Sequence, residues 1–385
     1  MDVKNGSLLY GRRIEFFSHD SGAEWGYDTP RRDSFAVIHP KDERPGVRYP
    51  LYVVFHSAGH DLFSCINCMR NKGDHDIYHT PEDSFAVVPD CLANSSSDWW
   101  WGGLGAHGEM NEGRRGTSPT PCERRVIDTV KWTMNRYAID ARRVYAVGNS
   151  MGGSGALGIA LCRGDLFAAI KVNVPAGVCH AFARCGMDDD APDGFSIPDP
   201  PIVIDYSAQN DEWSYGHDAL YAAMRERKYA IMGFFGPFGH ENNDEKMTAV
   251  NDLIHAFDVG SVRLDEAYPA FCGATTDDAL PWRDGNGIEG DERSGQVNAD
   301  EADRFEIALR LLRPDEWESR VTFPEASVAD VSIRRIQKFR LAPGERFAWE
   351  YAGASGECAA DEDGVPTVER LEVVREVRTL ILRRV

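Results

Sequence analysis

Between Arg142 and Ala160 the sequence is shaped to run as a strand, turn within a few residues and continue as a helix. The run Val144-Tyr145-Ala146-Val147 leads straight into Gly148-Asn149-Ser150-Met151-Gly152, and the small residues Gly153, Ser154, Gly155, Ala156 and Gly158 follow. A serine on so sharp a strand-to-helix bend takes strained dihedrals, and bulky neighbours would clash there. Gly148 and Gly152 supply the room, and Gly153, Gly155 and Gly158 let the helix pack closely on a sheet. The bend lifts the hydroxyl clear of the backbone and sets it at a helix N-terminus, where developing negative charge is favoured. The pentapeptide alone is a weak pattern; the strand before it and the helix after it give it specificity. Ser150 is therefore read as a nucleophile, not an incidental serine in a glycine-rich junction.

Around this feature, short apolar runs alternate with helical stretches, which is the pattern of an α/β fold. Strands are expected at residues 13–18, 34–39, 51–55, 84–89, 144–147, 168–174, 202–206 and 230–235, and helices at 121–136, 151–162, 215–227 and 244–257. The later strands are continuously apolar, as parallel strands covered on both faces are. In the first helix, Val126, Ile127, Val130 and Met134 recur at helical spacing and give one apolar face. Beyond Gly260 the character changes. Residues 261–303 are rich in Asp, Gly and Pro, and strand-like runs follow at 305–311, 331–341, 346–351, 367–374 and 377–384. The turns Ala342-Pro343-Gly344-Glu345 and Asp361-Glu362-Asp363-Gly364 separate some of them. The expectation is a catalytic α/β domain over 1–260 and an all-β, sandwich-like accessory domain over 261–385.

The elbow and its setting resemble the α/β-hydrolase superfamily, in particular the serine esterase branch of feruloyl esterases, acetylxylan esterases and polyhydroxyalkanoate depolymerases. The resemblance spans residues 10 to 257, and its motifs are more specific to the fold than to the substrate. It implies a mostly parallel central sheet flanked by helices and a triad in the chain order serine, acid, histidine. His240 lies in Gly236-Pro237-Phe238-Gly239-His240-Glu241, a glycine-flanked loop after an apolar strand, and is the expected general base. His255 sits in an expected helix beside Ile254 and Phe257, while His180 and His217 precede the last core strand. The acid should follow the strand at 202–206. Asp211, in Gln209-Asn210-Asp211-Glu212-Trp213, is the first choice, with Asp218 and Glu212 in reserve.

An oxyanion hole needs two backbone N–H donors. Met151, after the nucleophile, would supply one. The other would come from His56-Ser57-Ala58-Gly59-His60, which resembles the family's His-Gly-x-Gly loop with Ser57 in place of the first glycine. Ala58 is the expected donor there, Ser57 the second choice, and His56 a structural residue. Trp99, Trp100 and Trp101 follow the strand at 84–89, and three consecutive tryptophans cannot all face one core. At least one would be exposed or line a cleft, with Trp213 beside the acid, and offer aromatic faces to sugars or phenolic acids; a loop anchored by its indoles is the alternative.

Composition excludes some classes. Acidic residues outnumber basic ones by 62 to 42, for a formal charge of −20, a surface that repels nucleic-acid backbones and anionic membranes. No apolar run approaches the ~18 residues of a membrane span. The first residues, Met1-Asp2-Val3-Lys4-Asn5-Gly6, lack a secretion-signal pattern; the resemblance fits a secreted or periplasmic protein whose leader has been removed. The nine cysteines are an odd number, and Cys65 with Cys68, or Cys179 with Cys185, are open as pairs. His75-Asp76-Ile77-Tyr78-His79 mimics a zinc motif, but Gly73 and Pro81 bracket it too closely for a long helix, so no metal or cofactor is expected. The expected function is removal of acetyl or feruloyl groups from plant polysaccharides by a serine esterase. The partner would be a small-molecule or oligosaccharide ester, with oligomeric state left open. A peptidase of the same fold and a non-catalytic carbohydrate-binding protein are the alternatives.

Overall fold

The structure, a computed structural model, describes residues 2–9, 11–69, 76–91, 100, 116–188, 191–236, 239–240, 258–277, 288–289, 292–293, 296–313 and 324–385. Strands β1 (Asp2–Leu9), β2 (Arg12–Ser21) and β3 (Arg31–Ile38) form an antiparallel flank. Beside it run β4 (Tyr49–Phe55), β5 (Phe85–Pro89), β6 (Ile139–Asn149), β7 (Ala169–Asn173), β8 (Ile202–Ala208) and β9 (Ile231–Gly236), in the spatial order β5-β4-β6-β7-β8-β9 and mutually parallel. The helices are α1 (Leu62–Cys68), α2 (Pro121–Arg136), α3 (Met151–Ala160), α4 (Cys179–Arg184) and α5 (His217–Glu226). The helix expected at 244–257, with His255, lies outside the described residues.

The unbroken apolar runs now have a cause. Side chains alternate across each strand, and both faces of the sheet are covered. Leu51, Val53 and Phe55 pack with Val126 and Val130 of α2, Leu157 of α3 and Met224 of α5. Tyr52, Val54, Tyr145 and Val147 face the other way, onto Leu62 and Ile66 of α1. Because the central strands are parallel, their carboxyl ends share one edge, where open α/β sheets bind ligands.

Among the polar groups buried with this core, Asp205 is a carboxyl. Asp205 of β8 is 2% exposed and meets the hydroxyls of Ser207 and Tyr221. Burial pushes its pKa up to about 8, against the opposing effect of the Ser207 bond. The folded state then holds a proton that the unfolded chain gives up near pH 4, so the contribution of Asp205 to stability falls as pH rises from about 4 to about 8. The slope is on the order of 1 kcal/mol per pH unit within that window. Asp205→Asn should flatten it. Urea midpoints of both proteins at pH 5 and pH 8 measure this, and an unchanged difference between wild type and variant would contradict it.

After β9 the chain builds two further antiparallel sheets. Strands β10 (Tyr268–Cys272), β11 (Ile288–Glu289), β12 (Glu292–Arg293), β13 (Val297–Asp300), β14 (Arg304–Leu311), β15 (Ala326–Arg334), β16 (Arg346–Tyr351), β17 (Ala354–Ala359), β18 (Thr367–Val374) and β19 (Arg378–Arg384) follow in order. β11 pairs with β9; β10, β15 and β18 form one sheet, and β12, β13, β14, β19, β16 and β17 the other. Their shared core includes Phe305, Ile307, Leu309, Val331, Phe347, Val368 and Leu380. β14 alternates strictly between half-buried and buried residues, as a strand facing one core should. The strand expected at 331–341 instead runs over Ala326–Arg334, because Arg335 takes φ 54° and breaks it.

Arg335 also explains where these sheets attach. Its guanidinium is buried and donates to the carbonyls of Gly164, Phe167, Ala168 and Asp199, while its N–H donates to the Asp199 carboxylate. Arg334 pairs with the same carboxylate at 2.5 Å, and Tyr268 Oη donates to Pro200 O. All of these acceptors precede β7 and β8. The attachment is therefore at the amino edge of those strands, away from the elbow. Among the described residues, no helix is long and apolar enough to cross a membrane.

Candidate active site

Ser150 sits between β6 and α3 at φ 54°, ψ −121°, a conformation costly for a residue with a side chain. Three backbone bonds hold it: Ser150 N–H donates to Asn173 O at 3.0 Å, and Ser150 O accepts from Ser154 N–H at 3.0 Å and from Ala176 N–H at 3.2 Å. A Cβ on Gly148 would lie 2.2 Å from Gly152 O, and one on Gly152 would lie 2.0 Å from Phe55 O. Both obstacles are backbone atoms and cannot swing away. Gly152→Ala should cost about 3 kcal/mol, at the high end of overpacking penalties. A variant with the wild-type urea midpoint would refute this reading of the turn. The later glycines differ from expectation in what they face. A Cβ on Gly155 would strike the Trp100 ring at 2.4 Å, and one on Gly158 the His180 ring at 2.4 Å. They admit the side chains that cover the helix rather than the sheet beneath it.

Three chain segments converge at the carboxyl edge. Ser150 Oγ lies 2.7 Å from His240 Nε2, and His240 Nδ1 lies 2.6 Å from Asp211 Oδ2. The carboxylate calls for a proton on Nδ1, which leaves Nε2 to accept from the serine hydroxyl. Asp211 is 7% exposed, and its other oxygen accepts the backbone N–H of Trp213 at 2.8 Å. The Trp213 ring stands 6.4 Å from that of His240, centroid to centroid. Asp218 and Glu212, the reserve acids, are exposed. His217, at the start of α5, is 1% exposed, and burial lowers its pKa to about 4 although Asp211 and Asp218 pull it upward. The ring stays neutral and brings no competing cation to Asp211. His180 donates to Ser154 O through its Nε2–H and belongs to the packing of α3.

The amide of Met151 begins α3, where helical N–H groups have no partner within the helix. Across from it, the loop after β4 is pinned at His56 and Ser57. His56 is fully buried; its Nδ1–H donates to Ser57 O at 2.9 Å, and its Nε2 accepts from Cys91 N–H at 3.0 Å. Ser57 N–H donates to Tyr78 Oη at 2.9 Å. That contact corrects the expectation for Ser57: its amide is already engaged inside the protein and is not offered to a ligand. Ala58 is exposed, and its amide is the next donor along the loop.

Trp100 also departs from the sequence reading. It is 0% exposed, stacks edge-on against Phe55 and His56, and donates Nε1–H to His56 O at 3.0 Å. It buttresses the loop from behind and does not line a cleft; Trp99 and Trp101 lie outside the described residues. Sequence reasoning missed Tyr78, which it met only as part of the zinc-like stretch, and assigned no role to Asn149, which it met only within the elbow. His75 lies outside the described residues, and all nine cysteines stand as thiols, so neither pair left open is bridged.

No family model and no curated protein matches this chain. Solved structures do. An S-formylglutathione hydrolase from Agrobacterium tumefaciens is similar at 15% identity and TM-score 0.44, over 63% of this chain and 93% of that one. A ferulic acid esterase from Anaeromyces mucronatus is similar at 13% identity and TM-score 0.41, over 63% and 87%. An acetyl xylan esterase from Paenibacillus sp. R4 is similar at 14% identity and TM-score 0.40, over 66% and 87%.

Proposed function

We propose that the chain is a serine esterase of the α/β-hydrolase type, acting through Ser150, His240 and Asp211. The observation that carries this is the relay itself: hydroxyl, imidazole and buried carboxylate at 2.7 and 2.6 Å, on a strained elbow at the carboxyl edge of a parallel sheet. His240 Nε2 takes the proton as Ser150 Oγ attacks the ester carbonyl, and Asp211 stabilises the imidazolium. The amides of Met151 and Ala58 receive the oxyanion, each donor being worth about 3 kcal/mol in comparable enzymes. The imidazolium returns the proton to the departing alcohol. Water, deprotonated by His240, then cleaves the acyl-enzyme and restores the serine.

The substrate reading is an acetyl or feruloyl ester of a plant polysaccharide. Its support is the sequence resemblance, together with the Trp213 ring beside His240 as an aromatic wall for a phenolic or sugar group. Residues 261–385 are proposed as an accessory β unit, which would orient a polymer rather than close over the serine. Supporting this is the Arg335 anchorage at the amino edge. Assays of the full chain on p-nitrophenyl acetate, methyl ferulate, acetylated and feruloylated oligosaccharides and a chromogenic peptide test the reading. Ester turnover without peptide turnover is expected. Peptide turnover alone would make it a peptidase, and binding of the oligosaccharides without turnover or fluorophosphonate labelling would make it a binding protein.

A further inference from the structure

Ser57 stands where the resembling loop carries glycine, and its hydroxyl has every bond a hydroxyl can make. Ser57 Oγ–H donates to Asn149 O at 2.9 Å. It accepts Asn149 Nδ2–H at 3.1 Å and lies 2.7 Å from Tyr78 Oη. One donor and two acceptor sites exhaust a serine hydroxyl, so the proton between the two hydroxyls must belong to Tyr78. Tyr78 Oη in turn accepts Ser57 N–H, which closes the set with every proton direction fixed. Ser57 is 6% exposed, Asn149 6% and Tyr78 0%, so water does not compete. Burial holds the Tyr78 phenol far above its ordinary value, and the hydroxyl keeps its proton throughout any working range.

We infer that Tyr78 and Ser57 are positioning residues that set the separation of the two oxyanion amides, by tying the loop after β4 to the residue before the nucleophile. The inference rests on the esterase reading of the same site. Ala58 is one residue beyond Ser57, and Met151 is one residue beyond Ser150, which Asn149 precedes. The Ser57–Asn149 bonds therefore sit within two residues of each end of the pair of donors. Glycine at position 57 would have no hydroxyl to make them. Transition-state stabilisation of this kind depends on donors already in place, and a displacement of ~1 Å costs about a hundredfold in rate.

The test uses the full chain carrying Tyr78→Phe, Ser57→Ala or both, assayed on p-nitrophenyl acetate, with active sites counted by a fluorophosphonate. Each single variant should lose about 10- to 100-fold in kcat per counted site while KM stays within about twofold. The double variant should lose less than the product of the two single losses, because both changes remove the bond between Ser57 Oγ and Tyr78 Oη. A trifluoromethyl ketone, which forms a tetrahedral adduct on serine, should bind more weakly by about the factor lost in kcat/KM. The acid limb of the pH profile should not move, since the His240–Asp211 contact is untouched. Variants that melt earlier yet keep wild-type kcat per counted site, or that lose affinity for substrate and adduct equally, would overturn the positioning role. Failure of the esterase reading is distinct from this: the wild-type chain itself would neither turn over esters nor label, and both conclusions would fall.

Discussion

Ser150→Ala is expected to reduce ester turnover by about a million-fold while leaving KM and the melting temperature close to wild type. Loss of a serine nucleophile costs that much where hydroxyl, imidazole and carboxylate act as a unit, and the residual rate comes from the oxyanion donors and binding alone. Stability should hardly change. Ser150 is half-buried, its side chain bonds to His240 and its backbone bonds are retained by alanine. The strained φ of 54° is unfavourable for either residue. Kinetics on p-nitrophenyl acetate and labelling by a fluorophosphonate measure the effect together. A variant that still labels would place the nucleophile elsewhere and remove the basis of the proposed mechanism.

Asp211→Asn should cost about ten-thousand-fold in kcat, and the structure says which way the amide will turn. The backbone N–H of Trp213 bonds to Asp211 Oδ1 at 2.8 Å and requires an acceptor. The asparagine carbonyl oxygen will take that place, which directs its NH2 at His240 Nδ1. The imidazole must then accept at Nδ1 and carry its proton on Nε2, the nitrogen 2.7 Å from Ser150 Oγ. It can no longer take the serine proton. The geometry should survive while the tautomer is wrong, so crystals of the variant would superpose on wild type. If the Asp211→Asn chain kept kcat within about tenfold of wild type, Asp211 would be ruled out as the orienting acid and attention would return to other carboxylates.

Much of this site was readable before any coordinates, for a definite reason. The elbow is a local device: strand, glycines, serine and helix are contiguous, and the steric demand at Gly148 and Gly152 leaves a mark on neighbouring letters. Asp211 and His240 follow apolar strands, so the pattern of buried runs places both at strand ends once chain order is assumed. Strands with strict alternation or unbroken apolar character, such as β14 and β4, were visible likewise. β17 was not. It is a polar edge strand, exposed or half-exposed throughout, and joins β16 by a two-residue turn in which Ala352 and Gly353 have φ of 50° and 88°. The alternation that betrays a strand comes from burial of one face, and an edge strand with neither face buried has none.

The sequence alone determined where the buried strands of the central sheet lie, where the chain must bend after β6, and that this bend presents a serine. Local sterics and the period of apolar residues carry that information, and both act between near neighbours. Tertiary structure decided who meets whom: that Tyr78 reaches Ser57 from 21 residues away, that Trp100 lies under the loop, and that Arg335 bonds to a carbonyl 136 residues earlier. Those partnerships follow from the order in which strands stand side by side. That order is chosen by packing and hydrogen-bond satisfaction summed over the whole sheet, so no short stretch of sequence records it.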